Sequence, residues 1–140
     1  MKNLRRIRVR ENQQIGEGSF GIIYRISKTK IVKAFYRKSF NEQFARDEVR
    51  GSKLFKGALP ILEVVIVILP NKRETIGLIK KYIPHSISSF ELLQAIHRKE
   101  VNRNWDSNPR NFRKDDKGKI WRIDTQTKAA QYYYEMMYPW

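Results

Sequence analysis

The fold class predicted for this chain is α+β, with strands mostly early and helices mostly late. Three observations predict it. Residues 22–36 and 61–83 hold strand-length runs rich in β-branched and aromatic side chains, bounded by turn residues. Between them, residues 39–55 space their apolar side chains as a helix does. The later part of the chain carries two further stretches with helix-compatible spacing and one short strand.

Taken in order, the first feature is "IGEGSFGIIY" at 15–24, which sets Gly16, Gly18 and Gly21 between two apolar runs. "IIYRISKTKIVKAFY" then reads as two strands joined by "SKTK". Ser39 with Glu42 forms a capping-box start for the helix, whose buried face is expected to hold Phe40, Phe44, Leu54 and Phe55, with Gly57 and Pro60 as its stop. "ILEVVIVIL" and "TIGLIKKYI" form a second strand pair around "PNKRE", ended by Pro84, which with the strand before the glycine turn makes five strands. Residues 86–99 favour a short helix with Phe90, Leu93 and Ile96 inward. "NWDSNPRNF" is a loop by composition, "KIWRID" is a strand opening from the "DDKG" turn, and "TKAAQYYYEMMY" has helical spacing and many aromatics.

The 140 residues fit one domain, and 41% hydrophobic against 31% charged residues permits a real core and argues against disorder. No apolar run reaches the ~18 residues of a membrane span. The basic N-terminus lacks the apolar stretch of a secretory signal, and there are no cysteines for disulfides or thiolate metal sites. A soluble, cytoplasmic protein is expected. The net charge of +15 should attract polyanions, and "KNLRRIRVR" and "RNFRKDDKGK" are its clustered stretches, so nucleic acid stays open as a partner.

A plain turn would explain the glycines, and so would a lid over phosphates. A phosphate lid needs a cation, oxygen ligands for Mg²⁺ and a group to orient an acceptor hydroxyl. Lys33 lies twelve residues past Gly21, sharing a strand face with Ile31 and Phe35 that is inward by pattern. The bland alternative is a strand lysine that snorkels to water. Glu48, fifteen residues later, could turn from the helix to pair with Lys33, or could be a solvated charge like Glu42 and Asp47. Asp106 and Asn111 have D-x-x-x-x-N spacing, which lets one loop present a carboxylate to a nucleophile and an amide oxygen to a metal. Asp124, thirteen residues on at a strand end, suits a Mg²⁺ ligand. Turn-forming or capping roles are open for each of these three. His85 and His97 are isolated, without metal-ligand spacing.

In order, "IGEGSFGIIYRI", "IVKAF", Glu48, "GLIKKYIP", "DSNPRN" and "WRID" resemble the protein-kinase-like superfamily, over residues 15–124. The segment "DSNPRNFRKDDKGKIWRID" is also similar to the catalytic segment of phosphotransferases that act on small molecules. The resemblance implies a kinase-like N-lobe at 1–84, with a five-stranded antiparallel sheet and one αC-type helix, and a reduced, mainly helical C-lobe at 85–140. It implies ATP held by Ile15, Gly16, Glu17, Gly18, Ser19, Phe20, Gly21, Ile23, Lys33, Lys80, Tyr82 and Ile83. Asp106 would be the catalytic base, Glu48 the partner of Lys33, Arg110 the cation on the transferring phosphoryl group, and Asn111 and Asp124 the ligands of Mg²⁺ or Mn²⁺.

The chain departs from that pattern in specific places. Asn104-Trp105-Asp106 stands where the family has His-Arg-Asp, and Asp124-Thr125-Gln126 where it has Asp-Phe-Gly. Asn108 occupies a position that is often lysine, no Ala-Pro-Glu segment follows, and only 16 residues lie beyond Asp124. An inactive nucleotide-binding or protein-interaction module is therefore the alternative expectation, and a basic nucleic-acid-binding domain the third. The tail, with Tyr133, Met136, Met137 and Trp140, is expected either to cover the small second lobe or to form a patch for a homodimer or partner. The acceptor class, protein or small molecule, is left open.

Overall fold

A computed structural model of the chain describes residues 3–18, 20–36, 41–102 and 108–126. Ser19, Ser39, Phe40, Asn104, Trp105, Asp106 and the aromatic tail lie outside the described residues. The chain divides into two compact units, Met1–Arg46 with Pro60–Tyr82 and Asp47–Leu59 with Ile83–Trp140.

The first unit is a six-stranded sheet. Its strands are β1 (Arg6–Arg8), β2 (Gln14–Glu17), β3 (Gly21–Arg25), β4 (Lys30–Phe35), β5 (Glu63–Ile68) and β6 (Glu74–Lys81), in the spatial order β1-β5-β6-β4-β3-β2. All neighbours are antiparallel except β1 and β5. The expected five antiparallel strands are thus corrected to six in a mixed sheet. The missed strand, β1, is three residues long and two of them are arginines, too short and too charged to show a period. It forms because the outer edge of β5 can pair: Ile66 N donates to Arg5 O at 2.9 Å and Val9 N to Ile68 O at 3.1 Å. Ile7 and Val9 then add to the core.

Alternation places Val32 and Ala34 of β4, Val65 and Val67 of β5, Ile79 of β6 and Tyr24 of β3 in one buried cluster with Val9. The β3–β4 turn is held by Ser27, whose Oγ accepts from Lys30 N at 3.1 Å. The β5–β6 turn uses Asn71, whose Oδ1 accepts from Arg73 N at 3.0 Å, with Lys72 in the left-handed region at φ 69°.

Helix α1 spans Asn41–Leu54. Phe44 is buried as expected, but Leu54 is 65% exposed and is corrected out of the buried face. The buried stripe instead runs through Ala45, Glu48 and Gly51, residues that an apolar count passes over.

The second unit pairs α2 (Ser89–His97) with a three-stranded sheet of β7 (His85–Ser86), β8 (Phe112–Lys114) and β9 (Ile120–Arg122). Among its described residues this unit is therefore mixed, and the mainly helical second lobe is not what they form. Ser88 caps α2: its Oγ accepts from Glu91 N at 3.1 Å while Glu91 Oε1 accepts from Ser88 N at 3.2 Å. The core is Leu92, Ala95, Val101, Phe112 and Ile120, with Ile87 and Ile96 packed against it. Phe90 and Leu93, expected inward, are 68% and 53% exposed, because the helix turns its Leu92–Ala95–Ile96 stripe to the sheet. Asp115 orders the β8–β9 turn by accepting from Lys117 N, Lys119 N and Trp121 Nε1 at 2.9–3.0 Å. Among the described residues, no helix is long and apolar enough to cross a membrane.

Candidate functional site

The glycine motif of the first unit is the turn of the β2–β3 hairpin, with Gly18 N donating to Gly21 O at 2.9 Å. The end of β4 anchors it: Tyr36 N donates to Phe20 O at 3.1 Å, and Tyr36 OH to Glu17 Oε2 at 3.2 Å. Its three glycines differ in what they require. A Cβ on Gly21 would strike the carbonyl oxygen of Ala34 and sit 3.0 Å from its carbonyl carbon, so Gly21 serves the close approach of β3 to β4. A Cβ on Gly16 or Gly18 would meet nothing within 4 Å, and neither has a positive φ. Neither packing among the described residues nor backbone conformation demands glycine at those two positions.

Register then links this turn to Lys33. Gly16 pairs with Ile23, Ile23 with Lys33 and Lys33 with Leu78, one row across four strands. Lys33 is only 7% exposed, and its Nζ lies 5.4 Å from the ring centre of Phe35 and 5.8 Å from that of Phe20. The snorkelling alternative does not describe this side chain. The ammonium sits against two aromatic rings, where cation–π attraction offsets part of its lost hydration. Phe20 is itself buried, edge-on to Phe44 at 5.1 Å, so it packs beneath the hairpin. Ile15 is 51% exposed beside Gly16. Lys80 shares the Lys33 face through its pairing with Ile31 and is 2% exposed. Tyr82 closes the unit, its N–H donating to Thr29 O at 2.7 Å and its ring 4.2 Å below the Arg25 guanidinium.

In the second unit, the two expected metal ligands are brought together by their backbones. Asn111 ends a 3-10 turn, Pro109–Asn111, capped by Asn108, whose Oδ1 accepts from Arg110 N at 3.0 Å. The carbonyl of Asn111 accepts from Ile123 N at 2.8 Å and from Asp124 N at 3.4 Å. Asn111 and Asp124, thirteen residues apart in sequence, are thereby held side by side. Both offer hard oxygen donors of the kind Mg²⁺ takes, completed by phosphate and water oxygens. No group of three His, Cys, Asp or Glu residues suited to a metal occurs among the described residues, so a closed protein cage is not what they make. Arg110 is exposed. Ile83 is buried, and its carbonyl accepts from Arg113 Nε at 2.6 Å.

Glu48, in this same unit, is fully buried, which removes the solvated-charge alternative. Its Oε1 accepts from Gln126 Nε2 at 2.8 Å and its backbone carbonyl from Thr125 Oγ1 at 2.7 Å. Gln126 N in turn donates to Asp124 Oδ1 at 3.1 Å. Thr125, Gln126 and Gly51 are residues that sequence reasoning missed: a Cβ on Gly51 would overlap the carbonyl oxygen of Thr125. A glycine inside a helix costs about 1 kcal/mol against alanine, and that was the available signal of a close neighbour. Asp106, the expected base, lies outside the described residues, as does Ser19. No protein-family model matches the chain, and no curated protein matches it significantly.

Proposed function

We propose that the chain is an ATP-dependent phosphotransferase of the protein-kinase-like type, binding Mg·ATP beneath the β2–β3 hairpin. The observation that carries this reading is the row from Gly16 through Ile23 to the buried Lys33, capped by two glycines that packing among the described residues does not require. A plain hairpin turn needs neither feature. Backbone left bare at Gly16 and Gly18 suits phosphate oxygens approaching the main chain, and Lys33 supplies the cation in register with them. Ile15 and Ile23 offer apolar contact to a base, with residues 80–83 along its edge.

Asn111 and Asp124 would hold Mg²⁺, which when bound neutralises the β- and γ-phosphates. Asp106 accepts the proton of an acceptor hydroxyl as that oxygen bonds to the γ-phosphorus. The bond from phosphorus to the β–γ bridging oxygen breaks, and ADP leaves. Arg110 steadies the transferred group. The acceptor is a hydroxyl on a protein or a small molecule.

A nucleotide-binding module without turnover is the second reading, favoured by Asn104-Trp105 in place of the His-Arg that buttresses an active catalytic loop. Nucleic-acid binding is less supported, because two arginines of the basic N-terminus are engaged by Glu63 and Glu74 at 2.9 and 2.8 Å. Thermal shift with ATP, with and without Mg²⁺, beside transfer from radiolabelled ATP separates the three. Asp106→Ala is expected to cut transfer about 10²–10⁴-fold while leaving the ATP-induced shift intact. A Mg·ATP shift without transfer to any acceptor selects the module. Absence of any ATP shift, with nucleic-acid affinity that falls steeply with salt, overturns the phosphotransferase reading.

A further inference from the structure

Two hydrogen bonds run in series from α1 to the carboxylate of Asp124, and a third braces the backbone beside them. Glu48 Oε1 takes Gln126 Nε2 at 2.8 Å, Gln126 N reaches Asp124 Oδ1 at 3.1 Å, and Thr125 Oγ1 fixes the intervening backbone to Glu48 O at 2.7 Å. All three residues that bracket this connection are buried: Glu48 and Thr125 are 0% and Gln126 5% exposed. Gly51 lets the α1 backbone lie close against the carbonyl of Thr125. The backbone N–H of Asp124 donates to the carbonyl of Asn111 at 3.4 Å.

We propose that Thr125 and Gln126 are positioning residues that latch the Asp124 carboxylate to Glu48, so that the Mg²⁺ affinity of the nucleotide complex is set from α1. The inference rests on the phosphotransferase reading and deepens it. Where that superfamily carries a glycine that frees the metal aspartate to swing, this chain carries a glutamine whose backbone N–H holds the aspartate and whose side chain is itself held by Glu48. Asp124 is thereby kept in one orientation, and the metal meets a preformed oxygen instead of selecting one from a mobile loop.

The test follows thermal stabilisation by ATP while Mg²⁺ is titrated, using the full chain. Gln126→Met keeps the volume and removes Nε2, and is expected to raise the Mg²⁺ midpoint about tenfold. Thr125→Val removes one hydroxyl at nearly constant shape and is expected to raise it about fivefold, while Thr125→Ser restores it. The shift given by ATP without Mg²⁺ should not move in any of the three. If Gln126→Met does not fold, the Thr125 pair decides. Lower melting temperatures with an unchanged Mg²⁺ midpoint would make both residues merely structural and overturn the latch alone. If the unmodified chain shows an ATP shift that Mg²⁺ does not change, or no ATP shift, the functional reading falls and the latch with it.

Discussion

The residues proposed for nucleotide, in the first unit, and those proposed for metal, in the second, are positioned by different means. In the first unit, Gly16, Ile23 and Lys33 sit on strands whose register is shared over whole ladders, five paired positions between β3 and β4 and five between β4 and β6. In the second, Asn111 and Asp124 lie at the ends of short segments and owe their placement to single hydrogen bonds, from Ile123 and Asp124 to one carbonyl and from Gln126 to one carboxylate. A ladder distributes positional information, so one change there leaves the frame standing. A single bond concentrates it, so one change in the second unit alters the frame and the ligand together.

Gly51→Ala should break this comparison hardest on the side of the second unit. The new methyl collides with the backbone of Thr125, which has no flexible end to move away. Overpacking costs about 1–3 kcal/mol, against about 1 kcal/mol gained in helix propensity. The expected net is a destabilisation of up to about 2 kcal/mol in urea unfolding, together with loss of Mg²⁺-dependent stabilisation. A more stable Gly51→Ala protein would show that α1 does not rest on Thr125 as described.

The first unit should answer the opposite way. Gly16→Ala and Gly18→Ala place a methyl where nothing lies within 4 Å, so stability should change by no more than about 0.5 kcal/mol. Nucleotide affinity should fall about tenfold, because the methyl occupies the approach of phosphate to the backbone. Isothermal titration of the two variants checks both halves of that statement. Unchanged affinity would return the motif to a plain turn.

The same contrast explains which parts were legible in the sequence. Period-two alternation and turn chemistry locate β2 to β6, and Lys33 stands out because a cation interrupts an inward apolar face. β1 was hidden because three residues with two arginines carry no period, and its strand character comes from the free edge of β5. On α2 two apolar stripes compete, and counting large side chains selects Phe90 and Leu93. The sheet instead accepts Leu92 and Ala95, where a small side chain allows close approach beside Val101 and Phe112. In the second unit the D-x-x-x-x-N and strand-end aspartate patterns mark Asn111 and Asp124. What holds them is a carbonyl, three amides and a buried Glu–Gln pair, and main-chain hydrogen bonds leave no residue-type signature. Thr125 and Gln126 read as a lost motif in sequence, whereas their side chains are the contacts that tie Asp124 to α1.

The smallest expected effect tests how far surface pairing contributes to the second unit. Lys114 Nζ lies 2.8 Å from Glu91 Oε2, joining β8 to the first turn of α2 at a partly exposed position. The hydrogen bond from Lys114, with a further one from the Ser88 backbone, holds the Glu91 carboxyl below its ordinary value of 4.5. A carboxyl whose folded pKa is lowered contributes stability above its unfolded pKa and loses it as pH falls through the lowered folded value. Glu91→Gln keeps an acceptor for the Ser88 cap and removes only the charge. Its melting temperature should therefore lie slightly below that of the unmodified chain at about pH 7, and the difference should close as pH falls through the lowered folded pKa of Glu91. Added salt should narrow the gap at neutral pH, since the pair is open to screening. A gap that persists unchanged at low pH would assign the effect to the cap instead of the ion pair. The α2–β8 contact would then depend, like the Asp124 segment, on individual hydrogen bonds more than on charge.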